Sequence, residues 1–345
     1  MRRVALPVLA MATFIAAAPA LATSFTPTQL QAAADGLNAM RDLNLITFGN
    51  ASLNSDIGGK VFVGGNLTAN SVPVNSGSTS TSTATYTANA NYATLTVGGN
   101  VVNQVQVNNA LHSPTLSASI GGTGSGNVLF NANGATTSLL TGQSSAIATQ
   151  KNLLSADLTT LSSVLAGQSA TTITNFNALT LAPGGSSIFN MSAALFNDQN
   201  AQFDNLFSNL QAGETVIINV AGTALAEGGG VNFNGNSLAG LIDRNVIWNF
   251  TDATSVSVKS WYGSILAPNA TVSNISPING SVVAQMFSGG GEIHLGTFDG
   301  YTPFVVPPPP SPTPEPTTWL TMIAGLGMVG GALRRKRRLE HHATA

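Results

Sequence analysis

The chain of 345 residues contains no cysteine. This absence excludes a disulfide scaffold, a thiolate metal site and a cysteine nucleophile. A domain of this length buries enough apolar surface to be stable without disulfide bonds, so the absence is compatible with a location outside the cell.

Charged side chains are also scarce, because Asp, Glu, Lys and Arg make up 8% of the residues. The formal net charge is −2, but the basic residues cluster at the two ends of the chain. Residues 23–310 carry five basic and twelve acidic side chains, a formal charge of −7. We therefore expect no nucleic-acid partner, since no basic stripe is available to neutralise phosphates.

Motifs for catalysis and metal binding are missing as well. The sequence has no HExxH motif and no DxDxDG calcium loop. Residues 235–239 (GNSLA) differ from a nucleophile elbow at the last position. Glu292 and His294 lie two residues apart, so on a strand they share one face and form either a polar pair or a weak metal contact. We predict no catalytic residue, no metal site, no cofactor and no enzymatic activity.

The N-terminus has the pattern of a signal peptide. Two arginines precede an apolar run over residues 4–18, and small residues stand at Ala20 and Ala22. We expect signal peptidase to cut after Ala22, so that the exported chain begins at Thr23. The residues around the arginine pair favour general secretion over twin-arginine export.

The C-terminus has four parts in a fixed order: a proline-rich linker, a Pro-Glu-Pro motif within it, an uncharged run and a basic cluster. Residues 305–316 are rich in proline and predict a stiff, extended linker. Residues 317–333, from Thr317 to Leu333, carry no charge and would be roughly 25 Å long as a helix. We predict a transmembrane helix over this run, which would hold the chain in a membrane, and a basic cytoplasmic tail over residues 334–345.

This ending resembles the PEP-CTERM sorting signal of Gram-negative, biofilm-forming bacteria. The matching positions, besides the uncharged run, are Pro314, Glu315, Pro316, Arg334, Arg335, Lys336, Arg337 and Arg338. The resemblance implies that an exosortase cuts near the Pro-Glu-Pro motif and releases the protein to the cell surface or the extracellular matrix. The chain departs from the pattern in the extra residues 339–345.

The body between the two ends contains two pairs of segments with similar sequences, which we call echoes. Residues 61–67 (VFVGGNL) match residues 95–101 (LTVGGNV) at an offset of 34. Residues 263–267 (GSILA) match residues 280–284 (GSVVA) at an offset of 17. The longer offset is twice the shorter one. This relation favours a β-solenoid in which short strands and tight corners repeat at a fixed interval.

Hydrophobic periodicity places helices among these strands. Residues 27–44, 144–166 and 192–210 predict helices, and Gly167 is placed to end the second one. Strands are predicted at residues 45–52, 215–220, 245–250, 254–258, 264–266, 270–273 and 281–286. Since the helices lie between groups of strands, we expect them to flank a β body.

The body, over most of residues 48–298, resembles the choice-of-anchor A family of bacterial surface domains. The residues that carry the resemblance are 59–67, 262–270, 279–284 and 292–294. The order of strands and one long helix also looks like the ice-binding-protein fold. The expected fold is therefore mainly β: a right-handed β-solenoid-like body over residues 23–304, with one or two flanking α-helices, an N-terminal signal helix (residues 1–22) and the C-terminal transmembrane helix.

The sequence leaves three hypotheses for function. The leading one is a structural or adhesive protein of the cell surface or biofilm matrix. The alternative is a module that binds exopolysaccharide through exposed aromatic side chains, for which Trp261 and Tyr262 are the candidate glycan contacts. A secreted hydrolase is the third, and a pair of carboxylates across a cleft would favour it.

Overall fold

The computed structural model describes residues 24–77, 92–110, 113–227, 239–306 and 316–342, in two compact units, Met1–Val306 and Pro307–Ala345. The helices are α1 (Pro27–Asp42), α2 (Ser144–Ala166), α3 (Ala193–Phe196), α4 (Phe203–Leu206), α5 (Ala239–Asn245) and α6 (Pro316–His342). The first strands are β1 (Leu43–Thr47), β2 (Ala51–Leu53), β3 (Lys60–Val63), β4 (Leu67–Ala69), β5 (Val72–Val74), β6 (Leu95–Val97), β7 (Val101–Val102), β8 (Val105–Asn108), β9 (Thr115–Ile120), β10 (Val128–Asn131) and β11 (Thr136–Leu140). The remaining strands are β12 (Thr171–Thr172), β13 (Ser186–Met191), β14 (Thr215–Val220), β15 (Ala224–Ala226), β16 (Val246–Asn249), β17 (Ser255–Val258), β18 (Trp261–Tyr262), β19 (Ser264–Asn274), β20 (Ile278–Asn279), β21 (Val282–Gly289) and β22 (Ile293–His294).

The described strands pair in parallel, and the echoes in the sequence are neighbours in these ladders. Val61 pairs with Leu95 between β3 and β6, at the longer of the two offsets. Ile265 pairs with Val282 between β19 and β21, at the shorter one. The pairings thus confirm a mainly β body of parallel strands, while a right-handed solenoid coil stays a prediction.

One face of the largest sheet is covered by helices. Its strands follow the order β11-β9-β6-β3-β1-β21-β19-β16-β14-β13-β12. Alternate residues of these strands point to opposite sides, so Val61 and Val63 belong to the inner core while Phe62 packs with α1 and α2. Both sides of β14 and β16 are covered, so every residue of these two strands is buried.

The two flanking helices that the sequence predicts, α1 and α2, are present in the structure. Helix α1 begins with a capping box, in which Thr26 and Gln29 each bond the other's backbone, and with Pro27 in its first turn. Helix α2 has the predicted bounds, and Gly167 is its C-cap. The predicted helix over residues 192–210 is wrong, because two short helices, α3 and α4, stand there instead. Asp198 Oδ1 accepts from the Asn200 N–H at 2.8 Å, a local turn that competes with helix continuation between them.

Strand β19 is longer than predicted and bends. The two predicted segments, 264–266 and 270–273, form one strand whose pairing with β21 shifts register between Ala267 and Thr271. The first halves of β19 and β21 belong to the helix-covered face. Their second halves continue into a further ladder of the same sheet, in the order β15-β17-β19-β21-β2-β4-β7.

The second unit contains α6, which includes the predicted span over residues 317–333. Across the described residues, no helix combines the length and the apolar character needed to cross a membrane. The predicted transmembrane helix is therefore not supported. The predicted signal helix lies outside the described residues.

Candidate functional site

The ladder β15-β17-β19-β21-β2-β4-β7 has one face whose described side chains are exposed or half-buried, and we call it the open face. Along each strand the inward side chains are buried, for example Val256, Val272 and Phe287. The residues between them point outward and are exposed or half-buried. This alternation is that of a sheet with one face on the core and the other in solvent.

Small side chains line up across the open face in one continuous row, which we call the serine row. Each member is the direct parallel partner of the next, from Ala226 through Ser257, Ser273, Ser288, Ser52 and Thr68 to Val102. At about 4.8 Å between strands, seven strands give a row about 29 Å long. The row combines five adjacent hydroxyl groups with a smooth profile, since none of its side chains is larger than Val.

Two asparagine ladders border the part of the open face formed by β2, β4 and β7. Before these strands, the Asn66 N–H donates to Asn50 Oδ1 at 2.9 Å, and the Asn100 N–H donates to Asn66 Oδ1 at 2.8 Å. After the strands, Asn70 Nδ2 donates to Asn54 Oδ1 at 3.1 Å and Asn103 Nδ2 donates to Asn70 Oδ1 at 3.1 Å. All six asparagines are exposed.

The open face is uncharged and mainly polar, and it also includes the exposed apolar side chains of Met286 and Val102. Hydroxyl groups donate and accept hydrogen bonds, and side-chain amides do the same. None of the paired residues of the seven strands carries a charge. A face of this kind can bind a flat, polyhydroxylated surface through many weak hydrogen bonds.

Trp261, a predicted glycan contact, is fully buried. Its ring centroid lies 4.8 Å from that of Trp248 and 5.6 Å from those of Phe196 and Phe203. The Trp261 ring therefore packs in the aromatic core, which does not favour a glycan contact, and that role for Trp261 stays a prediction.

Tyr262, the second predicted glycan contact, is half-buried, and burial raises the pKa of its phenol. Its backbone carbonyl accepts a hydrogen bond from Trp248 Nε1 at 3.0 Å. Tyr262 therefore helps to hold the aromatic core, while a glycan contact through its exposed edge stays a prediction.

The pair Glu292 and His294 is joined directly, with His294 Nε2 at 2.6 Å from Glu292 Oε2. The other ring nitrogen, Nδ1, lies 2.8 Å from Asn279 Oδ1. Asn279 Nδ2 donates to the Trp261 carbonyl at 3.2 Å, which fixes the orientation of the Asn279 amide. Within the described residues there is no group of three or more His, Cys, Asp or Glu that could hold a metal ion.

The residues predicted for export lie mostly outside the described part of the chain. Ala20, Ala22, Thr23, Pro314 and Glu315 are outside it. Pro316 begins helix α6, and the basic residues lie near its C-terminal end: Arg334, Arg335, Lys336, Arg337 and Arg338.

The serine row was not predicted from the sequence. The first pair of echoes could have indicated part of the row, because Thr68 and Val102 are separated by the same offset of 34 residues and pair directly. The offsets of the other members differ, for example 16 between Ser257 and Ser273. Irregular spacing hides the row in the sequence because the corners between strands vary in length.

Comparison with known proteins identifies a family for the body and a motif at the C-terminus. A family model for an ice-binding-like adhesive domain, pAdhesive_15, matches residues 36–295. A model of the PEP-CTERM protein-sorting motif matches residues 312–338 and confirms that resemblance. The choice-of-anchor A name for the body stays a prediction.

Among solved structures, an ice binding protein from an Antarctic bacterium, Flavobacteriaceae, is 13% identical, with 75% of this chain and 84% of that chain covered. Its TM-score is 0.21, so the superposition carries no structural argument. No curated protein matches the chain. With its body matched from residue 36 to residue 295, the chain belongs to the ice-binding-like adhesive domain family, and it carries a PEP-CTERM sorting motif at its C-terminus.

Proposed function

We propose that this protein is a non-enzymatic adhesive of the cell surface or biofilm matrix, and that the open face is its adhesive surface. The PEP-CTERM motif implies an exported protein that an exosortase processes. An adhesive domain over the body fits that destination. The target class that the open face favours is a polyhydroxylated polymer such as exopolysaccharide.

The serine row is the observation that supports this proposal. Its hydroxyl groups recur at the strand spacing, so a ligand with a repeated pattern of hydroxyls can meet several of them together. Single contacts of this type are weak, with a net free energy of about 1 kcal/mol each. Adhesion then depends on the number of contacts and on the flatness of the row, which distinguishes it from binding in a pocket.

Processing is tested by measuring the intact mass of the protein recovered from outside the cell, with and without the host exosortase. We expect a chain that begins at Thr23 and ends near Pro316, and we expect it to be lost when the peptidase is absent. External protein that still carries residues 334–338 in the wild-type host would contradict exosortase processing.

Adhesion is tested by retention of the exported protein on matrix polysaccharide. Ser257 and Ser288 are exposed members of the serine row, and arginine at either position would stand above the flat surface. We expect Ser257→Arg and Ser288→Arg to reduce retention at least tenfold. The matched control is Ser145→Arg, which adds the same side chain at an exposed position in the first turn of α2.

The outcomes separate the hypotheses. Equal retention of all three variants would refute the open face as the adhesive surface. If Ser288→Arg is retained normally while a change at Tyr262 abolishes retention, the glycan site lies at the aromatic edge instead.

A further inference from the structure

The two ends of the helix-covered face are built differently. At one end, after β13, the chain packs Phe196, Phe203 and Phe207 into the inner core, and all three are fully buried. They share that core with Phe189 and Met191 of β13. Buried aromatic rings thus fill the core next to β13 and β12.

At the opposite end the core is open among the described residues. In β11, Thr137 pairs with Leu116 of β9, and Leu139 pairs with Ala118. Paired residues of a parallel ladder point to the same side, so these two β11 side chains lie over the core. Leu116 and Ala118 are buried, but Leu139 is 39% exposed and Thr137 is exposed.

The edge of β11 has free hydrogen-bonding capacity. The Thr136 N–H donates to the Pro114 carbonyl at 3.0 Å, toward β9. Because peptide groups alternate along a strand, the N–H groups of Thr137 and Leu139 point away from β9. In the described part of the chain no strand pairs with that outer edge.

The usual protections of a sheet edge are missing from β11. An exposed edge is normally guarded by charge, by proline or by a very short strand. Strand β11 has five residues, TTSLL, without charge or proline. The absence of charge extends much further, since residues 61–150 contain no Asp, Glu, Lys or Arg.

We propose that β11 is a self-association edge, at which two copies of this chain pair their β11 strands antiparallel about a twofold axis. A twofold axis brings identical surfaces together, so a charged end would repel its own copy. The uncharged run from residue 61 to residue 150 removes that repulsion. The pairing continues the ladder of the helix-covered face across the axis, and Leu139 of each copy covers the open core of the other.

A second copy in this arrangement is favoured over a head-to-tail fibre. A fibre would pair β11 of one copy with β12 of the next, and β12 has only two residues, Thr171 and Thr172. Pairing of β11 with itself uses five residues from each copy. The aromatic rings also close the core near β12, so a fibre contact would cover little apolar surface there.

The experiment measures the molar mass of the exported protein by light scattering as its concentration is raised. Leu139→Lys places a charge at the edge. Thr137→Pro removes an outward N–H while the bonds to β9 remain. The matched control is Leu153→Lys, because Leu153 lies on α2 and is 61% exposed, so the same charge is added away from the edge.

We expect the wild-type protein and Leu153→Lys to reach twice the chain mass and both edge variants to stay monomeric with melting temperatures near that of the wild type. A wild-type protein that is monomeric at every concentration overturns the proposal. If residues 136–140 of that monomer are nevertheless protected from hydrogen exchange, a segment of the same chain covers the edge. Dimers in both edge variants overturn the proposal as well, and place the interface elsewhere.

Discussion

Lys60 Nζ lies 2.8 Å from Oδ1 of Asp42, whose side chain is 1% exposed. The second carboxylate oxygen, Asp42 Oδ2, is buried without a hydrogen-bond partner in the described part of the chain. Burial raises the pKa of Asp42, and the hydrogen bond and positive charge of Lys60 partly oppose that shift. The ion pair at the end of α1 is thus an incompletely compensated buried charge.

This arrangement predicts a pH dependence of stability. A carboxyl group whose pKa is higher in the folded state binds its proton more tightly there, so protonation favours folding. As the pH falls through the folded pKa toward the ordinary value of 3.8, the wild-type protein should gain stability relative to Asp42→Asn. The difference in free energy of unfolding between the two proteins, measured by urea titration from pH 7 to pH 4, checks this. A difference that is constant or that falls at low pH would contradict the raised pKa.

The tight corners with the sequence Gly-Gly-Asn predict that the effect of a glycine-to-alanine substitution on stability depends strongly on its position. A Cβ atom at Gly99 would clash with Asn66 Oδ1 and lie 3.0 Å from the Gly65 backbone, so the asparagine ladder would have to move. We expect Gly99→Ala to lower the free energy of unfolding by about 1–3 kcal/mol. Gly126→Ala is the control, since a Cβ there meets nothing within 4 Å. Equal stability of the two variants would show that the corner adapts to the added methyl group.

The burial of Trp261 predicts that its loss affects folding and leaves adhesion unchanged. Trp261→Ala should cost about 3–5 kcal/mol of stability, because a large side chain leaves the aromatic core. Trp261→Phe keeps part of the ring and should cost less. Retention on polysaccharide, measured at equal amounts of folded protein, should match that of the wild type. Normal stability combined with lost retention would support Trp261 as a glycan contact.

Some elements follow from local signals in the sequence. Helix α2 was predicted with its bounds because apolar residues recur at helical spacing and Gly167 follows them. Strand β14 was predicted with its bounds as well, since its Val and Ile residues favour a strand, and it is buried on both sides. The predicted helix over residues 192–210 does not form because Asp198 accepts a hydrogen bond from the Asn200 N–H and makes a local turn. The apolar residues of this segment reach the core from two short helices and the chain around them instead of from one long helix.

The sequence by itself determined the sorting motif, the parallel register of the two pairs of echoes and the two flanking helices. These features depend on residues that are near in the chain or that repeat along it. Tertiary structure decided which aromatic side chains are buried, which face stays open and where the serine row runs. Those features depend on contacts between strands as far apart as β2 and β21, because a side chain becomes a surface or a core residue only when its neighbours from distant segments are in place.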